Sequence, residues 1–176
     1  MYRYLPWLLL AVGVVLIATV FEPMLATRAV KSGPQGFVGQ MAPIFTLRDD
    51  RGSPVSLDAY RQRIVVMNLW ASWCPPCREE MPDLQRLAER YRARGVAVVG
   101  VNEGESMERA RAFATSLQIR FPIWIDSMER YGRVYGALGL PTTVILNRQG
   151  IVIRGFDGPL TFDEMEAAAA AALRGS

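Results

Sequence analysis

The stretch Ile64-Val65-Val66-Met67-Asn68-Leu69-Trp70-Ala71-Ser72-Trp73-Cys74-Pro75-Pro76-Cys77 decides the fold. Residues 64–70 form a near-continuous apolar run, the pattern of a central strand buried on both faces. Beyond the cysteines, Met81, Leu84, Leu87, Ala88 and Tyr91 recur at helical spacing over residues 75–93. Pro82 is expected to kink this helix and Gly95 to end it. A strand that runs into C-x-x-C and a helix that leaves it put Cys74 at a helix N-terminus, where free N–H groups and the macrodipole stabilise a thiolate. Cys77 lies one turn in, close enough to bond Cys74. The expected division of labour is an exposed, low-pKa nucleophile at Cys74 and a buried resolving thiol at Cys77. Pro75 costs nothing in the first helical turn. Together Pro75 and Pro76 withhold two amide donors from the Cys74 thiolate, which points to a reducing couple rather than an oxidant.

Composition narrows the alternatives. A length of 176 residues fits one ordinary domain, and 51% hydrophobic with 21% charged residues excludes global disorder. A net charge of +3 is mild for this length and does not point to nucleic acid. The chain has no His, which removes His-based acid–base catalysis, the Ser-His-Asp and Cys-His nucleophile systems and His metal ligands. Its two cysteines are Cys74 and Cys77, too few for a structural zinc site, so no metal is expected. So short a loop constrains the unfolded chain little, and a purely stabilising disulfide is the weaker reading.

Outward from this centre the chain divides into three parts. Residues 1–29 read as a membrane anchor or signal segment. Within them residues 5–21 carry no charge, and as a helix they would be roughly 25 Å long, slightly short of the hydrocarbon core. Arg3 precedes the run, and Tyr4 and Trp7 stand where interfacial aromatics belong. An uncleaved anchor is the preferred reading, with a cleaved signal peptide ending near residues 27–29 as the alternative. Either places the rest outside the cytoplasm. Residues 30–39 read as a Gly- and Pro-containing linker.

Residues 40–176 read as one α/β domain. Short extended pieces are expected at 44–47 and 55–57 around the turn signal of residues 49–52, followed by the strand at 64–70 and a second buried strand at 96–102. Ser106 should cap a helix to about Leu117, and residues 121–125 are extended. Asp126 or Ser127 should cap another helix closing near Gly139. Residues 142–146 and 151–155 flank a hairpin turn, and Thr161 with Glu164 forms a capping-box pattern before an Ala-rich final helix. The order β-β-β-α-β-α-β-α-β-β-α implies a parallel core with an antiparallel edge hairpin.

The segment from Asn68 through Cys74-Pro-Pro-Cys77-Arg-Glu-Glu-Met-Pro82 resembles the TlpA/ResA/DsbE group of membrane-tethered, thioredoxin-like proteins. The likeness runs from about Gly39 to the C-terminal helix. It takes in Ala42-Pro43 at the start of the domain, Val101-Asn102 followed by Gly104-Glu105-Ser106, and Gly139-Leu-Pro-Thr-Thr143. The resemblance implies a thioredoxin fold, a central mixed sheet flanked by helices, with an inserted α-β element at about 106–125 and an N-terminal transmembrane helix. It implies that Pro141 is a cis-proline beside the active-site disulfide, and that Leu140, Pro141 and Thr142 meet an extended substrate segment. Trp73 is the better candidate of the nearby indoles for substrate contact. Glu105 matches an acidic residue near the thiols, expected to tune their pKa or to take the Cys77 proton, with Glu103 as its competitor. Ordinary thioredoxins carry a buried Asp where this chain has Asn68, which adds weight to Glu105.

The resemblance further implies a thiol–disulfide oxidoreductase needing no cofactor beyond the Cys74–Cys77 pair. It would be held single-pass in the cytoplasmic membrane with its catalytic domain on the periplasmic side. Its clients would be disulfides in exported proteins such as apocytochrome c, and its electrons would come from a membrane thiol–disulfide donor. Two rivals are a broader reductase serving oxidase copper-site cysteines and a Cu(I)-binding chaperone.

Overall fold

The computed structural model describes residues 33–175. The anchor or signal segment read in residues 1–29, and the first part of the linker, lie outside the described residues. Among the described residues no helix is long and apolar enough to cross a membrane.

Seven strands form one sheet: β1 (Leu47–Asp49), β2 (Pro54–Val55), β3 (Ile64–Trp70), β4 (Val96–Glu103), β5 (Ile123–Asp126), β6 (Thr142–Leu146) and β7 (Val152–Asp157), in the order β2-β1-β5-β4-β3-β6-β7. β3 runs parallel to β4, pairing Ile64 with Val96 through to Trp70 with Asn102, and β4 runs parallel to β5. The remaining pairs are antiparallel. Among the described residues four α-helices flank the sheet: α1 (Pro75–Tyr91), α2 (Met107–Ser116), α3 (Arg130–Tyr135) and α4 (Phe162–Arg174). The element order is the one expected from sequence.

Alternation along the central strands divides the core in two, because successive side chains of a strand point to opposite faces. Ile64, Val66 and Trp70 of β3 pack with Met81, Leu84 and Leu87 of α1, Ala110 of α2 and Met165 of α4. Val65, Met67 and Leu69 pack on the other face with Val99, Val101, Trp124 and Tyr131 and Tyr135 of α3. Every residue of β3 and β4 is buried, which is why both strands show as near-continuous apolar runs.

Local chemistry sets the ends of the elements. Ser106 caps α2 by accepting the Arg109 amide at 3.4 Å, and the Thr161–Glu164 capping box opens α4. α1 continues through Pro82 to Tyr91, and a short 3-10 turn then closes at Gly95 with φ 85°.

Three boundaries differ from expectation. The first strand begins at Leu47 rather than Ile44, because the turn is built on Asp49, whose Oδ1 accepts the amides of Arg51 and Ser53. Leu57 opens a 3-10 turn instead of ending a strand. α3 closes at Gly136 (φ 60°), short of Gly139. Its capping residue is Glu129, yet Asp126 at the end of β5 still supplies an acceptor, taking the Tyr131 amide at 2.9 Å.

Residues 33–39, read as linker, lie on the domain. Pro34–Phe37 forms a buried-edged 3-10 turn against β7, where a Cβ on Gly155 would meet the Pro34 backbone at 2.6 Å. The following residues pair with the outer edge of β7. The Gly39 amide donates to the Val152 carbonyl, the Val152 amide to the Gln40 carbonyl, and Met41 bridges Ile151.

Candidate active site

β3 delivers the chain to the site and α1 carries it away. Cys74 is the N-cap of α1 in an extended conformation, and it is joined to Cys77 by a disulfide. Pro75 and Pro76 occupy the first two helical positions, so the Cys77 amide is the first that can turn toward Cys74. It does so, donating to Cys74 Sγ at 3.3 Å. Cys77 is fully buried, as expected. Cys74 corrects the expectation: it is only 2% exposed, because in the disulfide form its side chain joins the core cluster with Ala71, Cys77 and Met81. The exposed group beside it is Trp73, at 65%.

The Leu140–Pro141 peptide is cis and Pro141 is buried. Pro141 immediately precedes β6, whose Thr142 pairs with Leu69 of β3, so the proline loop and the C-x-x-C loop stand at the same end of neighbouring strands. Leu140 packs against the core cluster that holds the two cysteines, and the Thr142 hydroxyl donates to the Gly139 carbonyl at 2.8 Å.

Three buried glutamates surround this end of the sheet. Glu80, not singled out in the sequence, follows Cys77 by three residues on α1 and so shares its helix face. It is 4% exposed. Its Oε1 accepts from Asn68 Nδ2 at 2.5 Å and its Oε2 from the Leu160 amide at 3.0 Å. Burial pushes its pKa up to about 7 against those two hydrogen bonds, with Asp83 adding repulsion. Asn68 also donates to Thr143 Oγ1 at 3.1 Å, which ties β3, β6 and α1 together beneath the disulfide. The available signal was a carboxylate inside the buried stripe Cys77, Met81, Leu84, Leu87.

Glu105 is 6% exposed. Burial alone would raise its pKa, but hydrogen bonds from Asn102 and from the side chain and amide of Ser72, with the Arg109 charge nearby, outweigh burial and hold it below the usual carboxylate range. Glu103, its competitor in the sequence, points the other way. It alternates with Asn102 along β4 onto the face of α3, opposite the cysteines, and pairs in register with Asp126. Burial, then repulsion from Asp126 and Glu129, pushes it up to about 8.

A buried disulfide at a helix start, a cis-proline loop beside it and an exposed indole at its rim form a site for exchanging disulfides with another chain. Residues 38–154 match the AhpC/TSA family. The chain belongs to that family. Among its relatives, the thiol-disulfide oxidoreductase ResA of Geobacillus thermodenitrificans is 36% identical over 129 residues, covering 73% of this chain and 74% of the relative. The thioredoxin-like protein YneN of Bacillus subtilis is 39% identical over 131 residues, covering 73% and 76%. A crystal structure from Chlorobium tepidum, assigned as a thiol:disulfide interchange protein DsbE, matches with a TM-score of 0.72 at 32% identity, over 77% of this chain and 97% of that one. This AhpC/TSA family member is thus a thiol–disulfide oxidoreductase of the ResA/DsbE type with a thioredoxin-like fold, and it carries the Cys74–Cys77 pair as a disulfide. Its substrate is a disulfide-bearing protein.

Proposed function

We propose that the protein is a reductase held in the cytoplasmic membrane by residues 5–21, with its catalytic domain on the periplasmic side. Its clients are disulfides in exported proteins, foremost the haem-binding cysteines of apocytochrome c, and a membrane thiol–disulfide carrier re-reduces it. The observation that carries the reducing direction is the Pro75-Pro76 pair. With both prolines at the head of α1, the first turn offers Cys74 Sγ a single backbone donor, the Cys77 amide at 3.3 Å. A thiolate with few donors is weakly stabilised, and a weakly stabilised dithiol gives its electrons away.

In this reading the Cys74 thiolate attacks one sulfur of the client disulfide, and the other client sulfur leaves as a thiolate. Cys77 loses its proton to Glu80, one helical turn away and able to titrate near neutrality. The Cys77 thiolate then attacks Cys74 Sγ, closes the Cys74–Cys77 bond and frees the second client sulfur. Two electrons pass to the client, whose thiolates take up the protons. Trp73 and the half-buried Leu140 stand where an extended client segment would lie, while Pro141 and Thr142, expected to meet it, are buried and shape the backbone beneath.

The test is the reduction potential of the Cys74–Cys77 pair in the full chain, equilibrated with dithiol buffers in detergent. A value near or below about −250 mV supports the reductase. A value near about −120 mV is that of an oxidant and overturns it. Trapping by a Cys77→Ala variant tests the client: a mixed disulfide with apocytochrome c is expected, and its absence alongside trapped oxidase cysteines would move the assignment to copper-site maturation.

A further inference from the structure

The loop Ala71-Ser72-Trp73 joins β3 to the redox pair, and it has few ties of its own. Inside the loop the Cys74 amide donates to the Ala71 carbonyl at 3.2 Å. The two prolines that follow have no N–H to give. The disulfide pins the loop in the oxidised protein, but that bond is the one the reaction breaks. A second fastening comes from outside. Ser72 donates its amide to Glu105 Oε2 and its hydroxyl to Glu105 Oε1, both at 2.6 Å. Asn102 Nδ2 donates to the same Oε2 at 2.7 Å, and Arg109 Nη1 stands 4.0 Å from Oε1.

The supports of this carboxylate are rigid. Asn102 is in β4 directly opposite Trp70, the last residue of β3. Glu105 immediately precedes Ser106, the cap of α2, and Arg109 lies one turn into that helix. The carboxylate therefore fastens the loop of one central strand to the end of its neighbour and to the start of a helix. Both of its oxygens are taken up by donors, and those short bonds are made to an ionised acceptor, the stronger kind.

We propose that Glu105 is a positioning residue: it acts on Cys74 through Ser72, holding the loop that presents Trp73 and the nucleophile, and it does not carry the proton of the exchange. In the dithiol, where the Cys74–Cys77 bond is open, this clamp holds the nucleophile in its attacking position. Its ionisation, held below the usual range by the same donors, suits a fixed acceptor and not a group that must gain and lose a proton near neutrality. The proton then falls to Glu80, and the two carboxylates divide the work.

The experiment follows the second-order rate at which the full-length reduced protein, in detergent, reduces the disulfides of insulin between pH 5 and pH 9. The variants are Glu105→Gln, Ser72→Ala and the double variant. Glu105→Gln keeps an oxygen for the Ser72 amide and Asn102 but removes the negative charge that strengthens all three bonds and obliges the Ser72 hydroxyl to turn and accept, and is expected to lower the rate about tenfold. Ser72→Ala keeps the amide bond, loses the hydroxyl bond and should lower the rate severalfold. The double variant should be no slower than Glu105→Gln alone, since two residues acting through one contact are not additive. The inflections of the pH profile should stay in place in all three.

Four results would overturn the proposal. One is a full rate in Ser72→Ala with a lowered rate in Glu105→Gln. Another is additive losses in the double variant. A third is a pH inflection that vanishes in Glu105→Gln. The fourth is a fall in thermal midpoint with no change in rate per folded molecule, which would make the contact structural only.

Discussion

Glu80 and Glu105 sit on either side of the redox pair, each almost wholly buried, and they are pushed in opposite directions. Burial acts on both in the same sense, disfavouring the charged form. The donors differ. Glu80 has one amide side chain and one backbone N–H, and desolvation wins. Glu105 has three donors at 2.6–2.7 Å and an arginine beside it, and the charge wins. Glu103, with the buried Asp126 opposite it, is displaced furthest upward of the three. The lesson is that partner count and partner charge, weighed against the cost of burial, decide which buried carboxylate can move a proton at neutral pH.

The sharpest way to break this comparison is Glu80→Gln, which keeps the shape and removes the titration. Turnover at pH 7 should fall about a hundredfold, the usual scale for losing a general acid–base group. The pH profile should lose its inflection near 7, and a profile left unchanged would refute the assignment.

Glu103→Gln tests the same physics as stability. Its folded pKa of about 8 lies above the ordinary carboxylate value. Between about pH 4.5 and 8 the folded protein therefore holds a proton that the unfolded chain has released. Stability from this group is full below that window and is lost as pH rises through it. At roughly 1.4 kcal/mol per unit of pKa, the Gln variant should be a few kcal/mol more stable than the parent at pH 8 and nearly equal at pH 4. Urea unfolding at several pH values measures this.

A smaller effect is expected from Asn68→Ala, which removes the 2.5 Å donor to Glu80. The inflection near 7 should move upward by about one unit, since the lost bond favoured the charged form. Smallest of all, Asp83→Asn removes a like charge and should move the inflection downward by a few tenths of a unit. Movement in the opposite sense in either variant would mean that the inflection belongs to another group.

Much of the architecture could be read from one chain because its two central strands are buried on both faces. Near-continuous apolar runs at residues 64–70 and 96–102 leave little choice of partner, and a C-x-x-C at the strand–helix junction marks the chemistry. The edge pieces were harder. β1 and β2 hold only a few residues, Arg48 and Asp49 among them polar, and their ends depend on the side chain of Asp49 rather than on any periodicity. Glu80 escaped notice for a related reason. A charged residue within a helix ordinarily faces water; its place in the apolar stripe is a hint, and its partners, Asn68 from β3 and Leu160 from far along the chain, show that it does not. Glu105 was singled out, but its partner Ser72 becomes visible only when β3 and β4 lie side by side. The burial of Cys74 depends on which neighbours close over the sulfur, which spacing alone does not encode.

The segment laid along β7 has a consequence for self-association. β7 is the last strand of the sheet, and without Gly39, Gln40 and Met41 it would present a row of unpaired amides and carbonyls. An open row of that kind is a template on which another copy can add a strand. Cutting the chain after Ala42 would uncover this edge while leaving the redox pair untouched, and the shortened protein should form dimers or larger aggregates through it. The stretch that leads into the domain is therefore expected also to shield this edge from a second copy.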